Sequence, residues 1–318
     1  MKVIFNSLPL KRVKCIATVG VFDGIHLGHQ YILKKVRKAA EKEGLASLVI
    51  TFDIPPQQFL TKRELKLHCR PEKAFIGCLT EKDQKTALIS SLGLDYLWFL
   101  KTRESLLRLS AQDFINYIQK YFKIERLIVG EDFRFGHQGG GDLKDLRKLG
   151  SKHKFQLSTI KKKSKNEKII SSSLIRKVIQ QGQLKEAKEL LGRNFSLTGR
   201  VFKGKGLGRK LGFPTANIRA GEYVTPAPAV YAAWVIFRKK VYPAAVNVGF
   251  RPTLVKASQP VIEAHILNFG KNILGKTIKI VFLVKIRNEQ EFSSLTALGA
   301  AISKDIATLT TKYSALGH

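Results

Sequence analysis

Two hydrophobic patterns follow one another along the chain and meet near residue 185. In the first, apolar runs of strand length alternate with helical periodicity. CIATVGVF reads as a strand, HQYILKKVRKAAEKEG as a helix ending at Gly44, and ASLVITF as the next strand, which together make a βαβ unit. DYLWFL then reads as a strand, SAQDFINYIQKYFK as a helix with Ser110 as N-cap and Asp113 as its box partner, and ERLIVG as a further strand. GDLKDLRKLGSKH and KFQLSTI continue the alternation. After the basic loop 161–168, SSSLIRKVIQQGQLKEAKELLG predicts a serine-capped helical stretch. Strands separated by helices predict an α/β domain with a doubly wound parallel sheet.

From about Arg193 the pattern changes to short runs rich in β-branched and aromatic residues: FSLTGRVF, AVYAAWVIF, AAVNVGF, VIEAHILNF and TIKIVFLVKI, parted by Gly, Pro and Lys clusters. This predicts an antiparallel sheet or small barrel, closed by a last helical segment over 289–313. Two domains are expected, 1–185 and 186–318, without an internal repeat or a long low-complexity linker.

Composition narrows the function. A chain of 318 residues with 44% hydrophobic residues can bury sizeable cores. No apolar run approaches the roughly 20 residues that span a bilayer, and the first residues show no long apolar stretch before a small-residue cleavage site, so a soluble cytoplasmic protein without membrane partners is predicted. Cys15, Cys69 and Cys78 lack CxxC spacing and are expected as reduced, buried thiols. The formal net charge of +32 would attract any polyanion, nucleic acid included. The basic residues are scattered and accompany no nucleic-acid recognition motif, so the charge also suits anionic small molecules.

GVFDGIHLGH, residues 20–29, follows the first βαβ strand. If a helix begins near His26, its free N–H groups and positive dipole end make an anion site, and Gly20, Gly24 and Gly28 let phosphate approach the backbone. His26 and His29, three apart, share one helical face and can donate to that phosphate; the alternative is one capping and one packing histidine. The string resembles the GxFDGxHxGH motif of the nucleotidyltransferase superfamily. That resemblance implies that His26 and His29 hold the ATP triphosphate while pyrophosphate leaves, with Phe22 and Asp23 among the nucleotide- or flavin-binding residues. GEDFRFGHQGGGD, with Asp132 and Phe133, follows the strand ERLIVG, where carboxyl ends of parallel strands form a crevice. SSSLIR sets Ser172, Ser173 and Arg176 at a helix start. The three motifs in this order resemble the FAD synthetase module of the bacterial bifunctional riboflavin kinase/FAD synthetase family, whose last motif reads SSTxIR; Ser173 keeps the hydroxyl of that threonine.

GRVFKGKGLGRKLGFPTANI, residues 199–218, interleaves Gly204, Gly206, Gly208 and Gly212 with lysines and arginine, as a backbone loop on phosphates would. Pro214 stiffens the following segment, where Thr215 and Asn217 offer two oxygens on one side, suited to Mg²⁺ held jointly with nucleotide phosphates. The string resembles the PTAN motif of riboflavin kinase, and VYA, NVGFRPT with Asn247 and Arg251, IEAHILNF and RNEQEF follow in that family's order. The resemblance implies a six-stranded barrel, Thr215 and Asn217 as Mg²⁺ ligands, and Glu263 as the base on the flavin ribityl hydroxyl. A carboxylate inside VIEAHIL is costly unless paired or poised for proton transfer, which marks Glu263 independently. His265 shares its face and reads first as a structural residue.

Three positions depart from the family pattern. Phe52 is followed by Asp53, Ile54, Pro55 and Pro56 where F-x-P-H-P is usual, so a histidine is missing; Ala229 replaces Gly, and Asn268 replaces Asp. The expectation is a Mg²⁺-dependent bifunctional enzyme with ATP, riboflavin and FMN as substrates. Its alternatives are a riboflavin kinase with a degenerate nucleotidyltransferase domain, or a basic nucleic-acid-binding protein on this scaffold. The oligomeric state stays open.

Overall fold

The computed structural model describes residues 1–5, 12–66, 75–165, 168–204, 206–249 and 260–313. The chain forms two compact units, Met1–Ser172 and Ser173–His318. The first runs β1 (Lys2–Ile4), β2 (Val13–Val19), α1 (Leu27–Glu43), β3 (Ala46–Phe52), α2 (Pro56–Lys66), α3 (Lys82–Ser90), β4 (Tyr96–Leu100), α4 (Glu104–Leu107), α5 (Ala111–Tyr121), β5 (Phe122–Gly130), α6 (Leu143–His153) and β6 (Gln156–Ile160). A short hairpin, β7 (Ser164–Lys165) and β8 (Lys168–Ile169), occupies the basic loop.

The sheet is wholly parallel, in the order β1-β4-β3-β2-β5-β6. Alternate residues of one strand face opposite layers, as the strand period of two requires. Cys15, Ala17 and Val19 of β2 pack with Phe114, Ile118, Leu146 and Leu149 of α5 and α6, whereas Ile16 packs with Leu33, Val36 and Ala40 of α1 and Ile89 of α3. Burial raises the Cys15 thiol to about 12, with the Glu125 carboxylate adding to the shift. The chain leaves β2 towards β3 and β4 on one side, while β5 and β6 lie on the other, so the strand order reverses at β2 and β5. A crevice outside the carboxyl ends of those strands is what such a reversal creates.

The second unit runs α7 (Ser172–Gln180), α8 (Leu184–Leu191), β9 (Ser196–Phe202), α9 (Leu207–Lys210), β10 (Ala216–Arg219), β11 (Ala229–Phe237), β12 (Lys240–Gly249), β13 (Val261–Ile266), β14 (Thr277–Asn288) and α10 (Leu295–Tyr313). Its six strands close an antiparallel barrel in the order β10-β13-β12-β11-β14-β9. Helix α10 covers β11 and β12 through Leu309 on Ala232 and Ala245. Arg287 of β14 holds it with a two-pronged bond to Asp305, Nε to Oδ1 at 2.9 Å and Nη2 to Oδ2 at 2.9 Å.

Both expected architectures are present, with local differences. SSSLIRKVIQQGQLKEAKELLG forms two helices, because Gly182 takes φ +72° between α7 and α8. The expected helix over SAQDFINYIQKYFK stops at Tyr121, and Phe122 and Lys123 begin β5. The compact units divide between Ser172 and Ser173, so α7 and α8 count with the barrel.

Candidate active sites

The loop after β2 is built against the preferences of its own residues. Phe22 and Ile25 adopt left-handed φ of +46° and +39°, with Gly24 at +82° between them. A non-glycine residue there costs about 1–2 kcal/mol, so the surroundings must over-determine the turn. They do so from the segment before and within α3. The buried Asp23 carboxylate accepts the Leu79 and Thr80 N–H groups at 3.0 Å and the Thr80 hydroxyl at 3.3 Å, while Thr80 Oγ1 accepts the Gly24 N–H at 3.0 Å. Val21 O accepts Thr51 Oγ1 at 3.0 Å and Lys85 Nζ at 2.7 Å. Ser172 Oγ closes the loop from the far end of the unit by donating to Asp23 O at 2.9 Å.

This turn delivers the two histidines. His26 is the N-cap of α1, and its Nδ1 accepts the His29 N–H at 3.3 Å. The two rings stack with centroids 3.6 Å apart, and Phe22 meets His29 edge-on at 5.2 Å. Burial, then the neighbouring His26 and Lys85, hold the His29 imidazole well below its ordinary pKa, which makes it a neutral ring. Its Nδ1 is buried without a protein partner, and so is Thr18 Oγ1 at the end of β2. Both residues line the same cleft. Gly20 and Gly28 serve the rings as well as any ligand: a Cβ at 20 would press on the Phe22 ring at 3.1 Å, and one at 28 on His26 at 3.1 Å.

The cleft has a volume of about 1030 Å³. Gly20, Phe22, His26, Gly28 and His29 line it together with Asp132 and Phe133 from the loop after β5, and Ser171 and Ser172 from the start of α7. Lys161, Lys162 and Lys163 stand on its rim, with Lys162 Nζ 2.8 Å from Asp132 Oδ2. Phe52, Phe59, Phe114 and the stacked pair Phe133 and Phe135 add aromatic surface to a wall that also carries Arg63, Glu64, Glu104 and Arg108. Asp23 and Gly24 differ from the expectation of nucleotide contact. Neither lines the cleft, because the Asp23 carboxylate is 2% exposed and taken up by the 79–80 segment. Ser173 and Arg176, on α7, belong to the second unit.

In the barrel, strand register assembles the candidate residues. Asn217 of β10 pairs with Glu263 of β13, and Glu263 pairs in turn with Asn247 of β12. Ile262, Ala264 and Ile266 are buried on one face of β13 and alternate with Glu263 and His265, which share the other face. His265 Nδ1 lies 2.9 Å from Pro214 O, and its ring meets Phe213 edge-on, so it steadies the segment that carries Thr215. Asn217 is 4% exposed. Two glycines pack directly on the oxygen-bearing pair: a Cβ at Gly204 would collide with the Asn217 amide, and one at Gly208 would reach Thr215 Oγ1 at 3.4 Å. Gly206 and Gly212 take φ of +75° and +82° with open space beside them. Arg251 lies outside the described residues.

The description "FAD synthetase" belongs to the family model that matches residues 9–174, and "Riboflavin kinase" to the one that matches 191–313. A bifunctional riboflavin kinase/FMN adenylyltransferase from Buchnera aphidicola subsp. Schizaphis graminum is 35% identical over 312 residues, 96% of this chain and 97% of that protein. The chain belongs to the bifunctional riboflavin kinase/FMN adenylyltransferase family. A second member of the family, from Escherichia coli strain K12, is 33% identical over 96% of this chain and 95% of its own length. A crystal structure from Streptococcus pneumoniae, described as a macrolide-efflux protein, superposes with a TM-score of 0.82 at 27% identity, covering 98% of this chain and 99% of that one. Among the described residues no helix is long and apolar enough to cross a membrane.

Within this family frame, sequence reasoning missed Thr18, Thr80 and Lys85. Thr18 and Lys85 look like ordinary strand and helix residues, and the 79–85 segment is more than fifty positions from the loop it holds. The only local signal was the unusual density of glycine in residues 20–29, which announced a strained turn without naming its support.

Proposed function

We propose that the cleft of the first unit transfers AMP from ATP to FMN, and that the Asn217–Glu263–Asn247 face of the barrel transfers the γ-phosphoryl group of ATP to riboflavin. The chain is a bifunctional transferase with a FAD synthetase domain and a riboflavin kinase domain. In the first reaction an FMN phosphate oxygen forms a bond to the α-phosphorus and the bond to the β-phosphate oxygen breaks, releasing pyrophosphate. No protein nucleophile is needed, so positioning and positive charge do the work. The feature that supports this reading is the pair of buried, unpartnered polar atoms, Thr18 Oγ1 and His29 Nδ1, in residues that line a cleft beside the start of α1. His26 and His29, with the N–H groups of α1, face the triphosphate, Ser172 completes the wall, and the aromatic side chains of the wall take the flavin. Asp23 shapes the loop instead of touching ligand.

In the second reaction Glu263 takes the proton of the ribityl hydroxyl as its oxygen bonds to the γ-phosphorus and ADP departs. Asn247, directly across from Glu263, orients that hydroxyl. Thr215 and Asn217 present two neutral oxygens beside a glycine turn that a side chain at 204 would block, a donor set that fits a hard cation whose remaining ligands are phosphates and water. Magnesium held there would offset the charge of the nucleotide phosphates. The net charge of +32 draws such polyanions towards the protein, and both reactions take place in the cytoplasm on this reading.

The test is a time course. The purified chain is incubated with riboflavin, ATP and Mg²⁺, in parallel with a reaction started from FMN, and flavins are separated chromatographically. FMN followed by FAD, and FAD from supplied FMN, is the expected result. FMN alone would refute the reading of the cleft and point to the missing histidine near Ile54; neither product would refute both.

A further inference from the structure

Among the described residues, Lys85 is the one buried lysine, 3% exposed, and it belongs to none of the motifs. A buried lysine is expensive, and an apolar residue of the same length would suit a helix packed on a sheet. Burial lowers its pKa to about 8, against the pull of the Asp23 and Asp53 carboxylates towards the charged form. Only one of its hydrogens meets a protein acceptor among the described residues, the Val21 carbonyl at 2.7 Å. That carbonyl precedes the left-handed Phe22, and the ammonium also acts electrostatically on His29. Lys85 does not line the cleft, so it reaches a ligand through the loop and through its field.

We propose that Lys85 is a positioning residue of the adenylyl-transfer site: from behind the loop it pins the Val21 carbonyl, and so the turn that sets His26 and His29, and it places a fixed positive charge that favours polyphosphate over flavin. This inference rests on the reading of the cleft given above. A charge in a poorly screened interior acts on a nearby anion far more strongly than a surface lysine does. Its effect should therefore follow the charged substrate.

The full chain carries its own control, since riboflavin phosphorylation by the same sample reports correct folding of the barrel. In Lys85→Met, kcat/KM for ATP in FAD synthesis from supplied FMN should fall roughly 100-fold, as when one preorganised donor is lost, with KM for ATP raised and KM for FMN within about twofold of wild type. Lys85→Arg should restore most of the loss. A purely structural lysine would lower melting temperature or active fraction without separating the two KM values. A folded Lys85→Met with unchanged ATP kinetics, or with both KM values raised alike, overturns the proposal. Should Lys85→Met fail to fold, the wild-type pH profile decides. The titratable groups facing Lys85 are Asp23, Asp53, Cys78 and His29. Burial keeps the Cys78 thiol protonated and His29 neutral, whereas it brings Lys85 down to about 8, inside the range from pH 7 to 9.5. KM for ATP should then rise about tenfold or more across that range while KM for FMN stays level; a flat ATP profile overturns the proposal. A wild-type chain that makes no FAD from FMN would instead refute the reading of the cleft, which separates the two failures.

Discussion

The cleft loop and the barrel face solve the same problem, holding polar groups in place, by opposite means. The loop 20–25 takes left-handed backbone that its residues resist, and remote side chains at 51, 80, 85 and 172 hold it there. The barrel face needs no such help, because hydrogen-bonded register sets Asn217, Glu263 and Asn247 side by side on three neighbouring strands. A site built on register inherits the rigidity of the sheet. A site built on a clamped turn depends on residues that touch no substrate, so damage far from the chemistry reaches it.

The largest effect that would sharpen this contrast is at Glu263. Glu263→Gln should lower FMN formation by about 10³-fold, as loss of a general base does, and leave FAD formation from supplied FMN unchanged. His29→Ala does the reverse, lowering FAD formation by roughly 10²-fold while riboflavin phosphorylation persists. Loss of both activities in either folded variant would break the assignment of one site to each unit. Thr80→Val tests the clamp itself. It removes the Thr80 hydroxyl that the buried Gly24 N–H donates to and one of the bonds the Asp23 carboxylate accepts, at a cost of about 1–3 kcal/mol. Thermal melts should show the loss in the first unit, with FAD synthesis weakened and the kinase unaffected; no comparable substitution on the barrel face should separate stability from activity in this way. The smallest effect is pH dependence. His29 is held neutral when folded but titrates near 6.5 when unfolded, so the unfolded chain binds more protons below that pH and stability falls as pH drops through it. Denaturant titrations between pH 7 and 5 should show a loss approaching ~1.4 kcal/mol per pH unit in the wild type, flattened in His29→Asn.

Much of both domains was legible because their signals are local. Ser110 caps α5, Gly44 ends α1 in the left-handed conformation, and His26 opens α1, all as side-chain and backbone preferences predict. The elements that escaped notice carry weak local signals. β10 has only four residues, the N-cap of α3, Glu81, makes no side-chain cap bond, and β1 has three residues whose partner strand, β4, lies far along the chain at Tyr96–Leu100. The candidate residues of the motifs were legible as types, but their duties were not. Asp23 stands in a binding motif in the sequence, and its hydrogen bonds from Leu79 and Thr80 were not legible there because only the fold brings that segment to it. The register that joins Asn217 to Asn247 through Glu263 likewise depends on strands far apart in the chain.

Cys78 adjoins Leu79, whose N–H holds the Asp23 carboxylate, and its thiol is buried and driven strongly towards the protonated form. It is therefore inert to alkylation while the clamp is closed, and each reaction at that sulfur records one opening of the loop. Peptide-resolved labelling of Cys78, with and without ATP, should therefore report how often the 79–80 clamp opens and whether nucleotide holds it shut.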